Sequence, residues 1–490
     1  MRRFSAAAAA AALAATAWHI ARNAAPPAFD DAWYLETSFR LFSALKAGPA
    51  SFAHAYAEAF RIKAPLISLV PLPLYAVLGP GERVAVWVNL PLAALAAWAW
   101  SRAAAEWWRG HPRAREAAAL GGALCALTPL AYGLSRVFLV ETLLTALLGL
   151  WAWRCAAAKP DDRREGWRLG VLLGLGLLAK VTFPLLAAGF AWPARERLRP
   201  HAKLALLVAV PLAATWYAAN LPYVLGFAWS AGFGRVAGDY AGGGGLGARL
   251  DWAVAILRDA LSWPLAGAMA AVGAAAAFSA REKAGAGLRA ALWGLAPLLV
   301  YAAGVNREPR LIAPLLPVAA LLAGRAAVSF PGAAARAAAA ALLLGAGLSV
   351  CADRTFRTSA PSADPGWDRG ALVDAVAAAG GKVAAVALED PRLNANNLSS
   401  LAAMRGLDLR FVSLGYAQAS AEAALIRLKE KSCDTIVFVE GVPESELPAF
   451  LNRANKGIQE MTASRRLKTQ PAARVALAPG VSASVLRLIW

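Results

Sequence analysis

Apolar runs that approach the thickness of a bilayer recur through the first three quarters of the chain. They lie at 4–21, 64–79, 83–101, 117–133, 137–153, 169–192, 202–219, 264–279, 290–304, 311–324 and 337–352. A hydrocarbon core of about 30 Å takes about 20 apolar residues per helix, so each run reads as a span or part of one. The first follows Met1-Arg2-Arg3 and has the shape of a signal peptide. It is read as an uncleaved anchor, because the loop after it belongs with the membrane unit. Beyond Cys351 the pattern changes. Lys382-Val-Ala-Ala-Val-Ala-Leu and Thr435-Ile-Val-Phe-Val read as buried strands, with helices at 394–405 and 418–431. Strands alternating with helices predict a small α/β domain over 353–490, after a membrane domain over 1–352.

Composition sharpens this picture. Of the 490 residues, 59% are hydrophobic and 17% charged, and mean hydropathy is +0.48. Soluble chains run near 45–50% apolar and about 25% charged, so a soluble or disordered protein is excluded. Four cysteines without a CxxC spacing make no disulfide framework. The four histidines are scattered and show no metal motif. A net charge of +19 would suit nucleic acid. The basic residues fall instead in short loops between apolar runs, as membrane topology requires, and no nucleic-acid partner is expected. Residues 353–490 carry 17 Lys and Arg against 14 Asp and Glu, so the excess belongs to the membrane part.

The basic loops set the expected orientation. They hold Arg102, Arg109, Arg113 and Arg115; Arg154, Lys159, Arg163, Arg164 and Arg168; Arg195, Arg197, Arg199 and Lys203; Arg281, Lys283 and Arg289; and Arg325 and Arg336. All become cytoplasmic if 64–79 and 169–192 each enter and leave on one side. The first carries Pro71 and Pro73, which break a helix. The second carries Lys180 at its midpoint and Pro184 after it. A mid-span lysine is costly, and two half-helices meeting at Lys180 bring its ammonium to the far surface. The loops 22–63, 134–136, 220–262 and 305–310, the Lys180 apex and the C-terminal domain then share the extracytoplasmic face.

The candidate chemistry gathers on that face. Asp30-Asp31 in the first loop suits a general base or a divalent cation, and Asp30 also suits the N-cap of a helix starting at Asp31. Residues 33–47 read as an interfacial amphipathic helix with Trp33, Leu35, Phe39, Phe42 and Leu45 on its apolar side. Arg61 and Lys63, beside Pro65, suit a lipid phosphate or plain snorkelling. Glu141 enters a span about two turns below Ser135-Arg136 and needs a partner, Arg136 or Lys180. Arg310 at the mouth of a span suits an anionic headgroup. The Gly242–Gly245 run reads as a linker or lid.

Taken in order, these pieces resemble the GT-C superfamily of polyprenyl-phosphate-dependent glycosyltransferases. The narrower likeness is to the bacterial group of protein O-mannosyltransferases and the lipid A aminoarabinose transferase. That group has an acidic pair in its first extracytoplasmic loop, as Asp30-Asp31 stands here. A Lys-Pro-Pro-Leu stretch follows, met by Lys63-Ala64-Pro65-Leu66, and then a segment similar to Leu78-Gly79-Pro80-Gly81-Glu82-Arg83. Ser135 with Glu141, Gly176-Leu177-Leu178-Ala179-Lys180, and Arg310 with Pro314 and Pro317 complete the series. The chain departs at Ala64, which replaces the first proline, and at Ile62, where the aminoarabinose transferase has glutamate. That transferase's acceptor and metal details are therefore not carried over.

The resemblance implies a GT-C-like polytopic helical protein of about 11–13 membrane helices, two of them broken or re-entrant, with a soluble C-terminal α/β domain. It implies an inverting transfer from a polyprenyl-phosphate sugar to an extracytoplasmic glycolipid, polysaccharide or protein, in a bacterial plasma membrane. Asp30 would be the base and Asp31 its orienting partner, or the pair would hold a divalent metal where one is used. Arg61, Lys63, Arg136, Glu141, Lys180 and Arg310 would bind substrate. Two other readings compete: a transporter or lipid flippase, for which no internal repeat is visible, and a noncatalytic assembly subunit with the same fold.

Overall fold

The computed structural model describes all residues except 235, 236, 238–244, 280–284, 305, 415–419 and 448–450. Gly242–Gly244 of the glycine run, and Arg281 and Lys283 of the fourth basic loop, lie outside the described residues. The chain forms two compact units that interleave in sequence. The first holds 1–21, 56–70 and 86–360; the second holds 22–55, 71–85 and 361–490.

The first unit is helical. Five helical stretches of the described chain are long and apolar enough to cross a membrane: Arg2–Arg22, Glu82–Trp107, Phe183–Gly232, Pro309–Ser329 and Ala333–Thr358. A sixth is the pair Leu246–Leu261 and Trp263–Phe278, bent by 99°. The protein is thus a multi-pass membrane protein. Other apolar segments form shorter helices, such as Glu141–Ala157 and Arg163–Ala179, each of 17 residues. These account for the difference from the larger number of spans read off the sequence.

Small residues set the helix contacts, as expected where hydrophobic burial alone cannot drive association. Gly166, Gly170 and Gly174 line one face of the Arg163–Ala179 helix and pack on the Ala202–Gly232 helix. A Cβ on Gly170 would stand 2.6 Å from Val208 Cβ and 2.7 Å from the Ala205 carbonyl oxygen. On the other side, Trp100 packs against Gly149 and donates from Nε1 to the Thr145 carbonyl at 3.1 Å. That contact joins the Asn89–Trp107 and Glu141–Ala157 helices.

The second unit is built on a five-stranded sheet: β1 Val383–Val386, β2 Arg410–Ser413, β3 Thr435–Glu440, β4 Thr469–Ala478 and β5 Val481–Leu488. The order is β2-β1-β3-β5-β4, with β1 parallel to β2 and β3, and β5 antiparallel to β3 and β4. The helices Arg369–Ala378 and Ala395–Met404 cover one face, burying Leu372, Val376, Leu398 and Ala402. Ala421–Glu430 and Asn455–Ala463 cover the other with Leu428 and Ile458. The hairpin β4–β5 was not read from the sequence. Its Pro479-Gly480 turn, with Gly480 at φ +76, is the local signal for it.

The first loop joins this sheet domain. The Asp30–Ala47 helix packs on Ala395–Met404 and buries Leu35, Phe39, Leu41 and Phe42. Leu45, expected on the apolar side, is exposed. Arg40 Nη2 donates to the Leu409 carbonyl at 3.1 Å. Arg369 forks onto Glu82 at 3.0 and 3.2 Å, fixing the 71–85 segment as well.

Glu389, just after β1, is only 3% exposed. Burial pushes its carboxyl up to about 7, against hydrogen bonds from Ser413 and the Ala395 amide and the nearby Arg427 charge, all of which favour ionisation.

Two predictions follow from packing and burial. Gly170→Ala lowers the apparent Tm in detergent, at a cost of about 1–3 kcal/mol from overpacking. Gly226→Ala, with open space around the added Cβ, leaves it unchanged or slightly higher. For Glu389, the folded pKa lies above the unfolded one, so the folded state holds its proton while the unfolded state releases it. Stability from this group therefore falls as pH rises from about 4.5 to about 7, by roughly 3 kcal/mol. Glu389→Gln should lose less apparent Tm than wild type between pH 5 and pH 8; an equal loss would refute the assignment.

Candidate functional site

The Arg163–Ala179 helix ends where the sequence predicts a break. Lys180 is its C-cap, in extended backbone at φ −159 and ψ 134. A new helix starts at Phe183, with Pro184 in its first turn. Gly176 permits the reversal. A Cβ there would lie 2.1–2.4 Å from the Phe183 ring, which folds back over the helix end. Leaving the helix frees the Lys180 side chain from the helical stack. Its Nζ donates to Glu141 Oε1 at 3.1 Å.

Glu141 opens its helix, where the macrodipole favours a carboxylate. It is 2% exposed. Of the two partners considered for it, Lys180 forms the pair. Among the described residues Glu141 Oε2 has no hydrogen-bond partner, and neither does the adjacent Thr142 Oγ1. Glu141, Thr142 and Thr145 border a small cavity of about 40 Å³ with Thr16, Ser135 and several alanines. Thr16 and Ser135 hydroxyls meet at 3.2 Å across it. A buried carboxylate oxygen with an open valence accepts from a hydroxyl, an amine or water. Thr16 and Thr142 were not picked out from the sequence, since a lone threonine in an alanine-rich span carries no pattern.

Arg136 turns elsewhere. Its Nη2 donates to Thr355 Oγ1 at 2.8 Å and its Nη1 to the Ser359 carbonyl at 3.3 Å. His19 Nδ1 lies 3.5 Å from Nη1, and the guanidinium sits 3.9 Å from the centre of the Tyr132 ring. Arg136 therefore ties the end of the first helix to the segment after 353. Arg310 pairs with Glu308 at 2.7 Å, at the start of the Pro309–Leu315 3₁₀ turn.

Arg61 is exposed and pairs with Glu58 at 2.9 Å. Phe60 and Arg61 both have positive φ, 57 and 61, a strained conformation for residues with side chains. Trp216 Nε1 and Asn220 Nδ2 hold this turn by donating to the Ala59 and Ala57 carbonyls at 3.1 and 2.7 Å. Lys63 follows the turn and is half-buried.

Asp30 and Asp31 belong to the second unit. Both lie in the first turn of the Asp30–Ala47 helix, and both are half-buried. The N-cap is Phe29, with no side-chain cap, so the helix starts one residue earlier than in the capping reading of Asp30. Among the described residues no group of three or more His, Cys, Asp or Glu side chains gathers as a metal site.

No protein-family model matches the sequence, and no curated protein matches it. Solved structures do. ArnT from Cupriavidus metallidurans, bound to undecaprenyl phosphate, matches with a TM-score of 0.62 at 13% identity, over 99% of this chain and 98% of its own. The Archaeoglobus fulgidus oligosaccharyltransferase matches at 0.55 and 10% identity, over 89% of this chain and 69% of its own. The arabinofuranosyltransferase AftD from Mycobacteria matches at 0.57 and 16% identity, over all of this chain and 40% of its own. All three are GT-C glycosyltransferases.

The chain has the GT-C fold. The GT-C likeness to ArnT takes in both units and almost the whole length of each chain. The Glu141–Lys180 pair can be tested on stability alone. Lys180→Met strands a buried carboxylate and should cost about 3–5 kcal/mol, read as a lower apparent Tm in detergent. Adding Glu141→Gln should recover much of that loss. A double variant no more stable than Lys180→Met would show that the pair is not coupled.

Proposed function

We propose that this protein is an inverting glycosyltransferase that moves a sugar from a polyprenyl-phosphate donor to an extracytoplasmic hydroxyl acceptor. The observation that carries the reading is the end-to-end likeness to a structure bound to undecaprenyl phosphate. A second neighbour was solved with dolichol phosphate, so lipid-phosphate binding recurs among proteins of this shape. The Lys180–Glu141 pair supports it, since an ammonium held at a helix break is available to an anionic headgroup.

Asp30 takes the proton from the acceptor hydroxyl, and the freed oxygen attacks the anomeric carbon. The bond from that carbon to the phosphate oxygen breaks, and the electron pair leaves with polyprenyl phosphate. Lys63, Lys180 and Arg310 hold that phosphate, where growing negative charge is the main electrostatic demand. Arg61 and Arg136 add positive charge around the donor, and Glu141 orients Lys180. Asp31 orients the acceptor. Where a divalent metal takes part, Asp30 and Asp31 would hold it. In this reading 1–352 is the transferase domain and 353–490 an extracytoplasmic domain, in a bacterial plasma membrane.

The purified protein, given a panel of polyprenyl-phosphate sugars and a cell-envelope extract as acceptor, should release polyprenyl phosphate. Asp30→Asn should slow release about 10²–10⁴-fold. Normal turnover by Asp30→Asn would remove Asp30 from the base role. No release from any donor by folded wild type would overturn the transferase reading in favour of transport or a noncatalytic subunit.

A further inference from the structure

The acidic pair follows a strained backbone turn, closed locally by the Asp31 amide donating to the Ala28 carbonyl at 3.1 Å. Phe29, at φ 48 and ψ −117, is far from the conformations ordinary residues adopt. Its side chain offers no oxygen to cap the helix that begins at Asp30. Such a conformation persists only where the surroundings over-determine it.

The second unit supplies that support. The Phe29 carbonyl accepts from the Trp33 amide at 3.0 Å and from Asn396 Nδ2 at 3.1 Å. Asn396 is the second residue of the Ala395–Met404 helix, whose first turn is itself fixed. Asn394 and Asn397 form a reciprocal capping box there, and Asn394 Nδ2 also donates to the Asp390 carbonyl at 3.0 Å. The donor is therefore held in place before it meets Phe29. Further upstream, the Ala24 amide donates to the Ser362 carbonyl at 2.7 Å, and the Ser362 amide to Asn23 Oδ1 at 3.0 Å. Downstream, Arg40 reaches the Leu409 carbonyl. The segment 23–40 is thus tied before, at and after the acidic pair, each time by the part of the chain beyond 361.

We infer that Asn396 is a positioning residue for the Asp30-Asp31 pair, and that the C-terminal α/β domain is the frame that aims this pair. Loss of the Asn396–Phe29 hydrogen bond lets the turn relax and moves both carboxylates. A displacement of about 1 Å at a reacting group can cost about a hundredfold in rate. The catalytic half of this inference rests on the proposed function; the structural half does not.

The test compares Asn396→Ala and the isosteric Asn396→Asp, which keeps the volume but cannot donate, with wild type as full-length protein in detergent. Hydrogen exchange is read at amides 30–34, with those of β3 as control. Both variants should exchange at least about fivefold faster at 30–34 and at the wild-type rate in β3. Unchanged exchange at 30–34 overturns the inference whatever the enzyme does. With an undecaprenyl-phosphate sugar that wild type turns over, kcat should fall about 10- to 100-fold and donor KM stay constant. Faster exchange with unchanged kcat overturns the positioning role. Wild type that turns over no donor defeats the proposed function instead, and exchange alone then decides whether Asn396 holds the turn.

Discussion

A lysine in an apolar segment has to escape the membrane or be neutralised within the protein, and the membrane unit is organised around how Lys180 does so. The helix stops one residue before it, and Gly176 makes room for the returning Phe183 ring. The ammonium meets Glu141, brought from another helix. Each charge offsets the other; removal of the Lys180 ammonium leaves the buried Glu141 carboxylate with no counterion from this pair. Among the described residues Glu141 Oε2 accepts no hydrogen bond.

The second unit solves a different problem. A loop leaving the membrane has no core of its own, and its backbone groups need partners. Here the first loop obtains them from the sheet domain through Asn396 and Ser362, and the 71–85 segment is held by its Glu82 carboxylate, which accepts from Arg369. The doubly wound half of that sheet, β2-β1-β3, offers a rigid helix N-terminus at Ala395. The segment that carries the acidic pair, near the start of the chain, is thereby fastened to its last third.

Much of this was legible in the linear order of residues. Apolar runs and basic loops give the membrane class, because transfer free energies act locally along the chain. The break at Lys180 was legible because a charge followed by a proline in a span has few structural solutions. The strands β1 and β3 could be read as unbroken apolar runs, since both are buried on both faces. The hairpin β4–β5 escaped notice because half-exposed alternation among alanines and arginines is a weak signal.

By itself the sequence determined that this chain enters a membrane, where its helices must break, and which ionisable residues stand out as chemistry. Those are consequences of residue type and near neighbours. Which charges meet was decided only by the tertiary structure. Glu141 lies 39 residues from Lys180, and Asn396 lies 367 from Phe29. The direction of Arg136 toward Thr355 and His19, away from any role as Glu141's partner, was settled there as well. Pairings across such distances depend on how helices and sheet pack, and a residue's own neighbourhood along the chain holds no record of it.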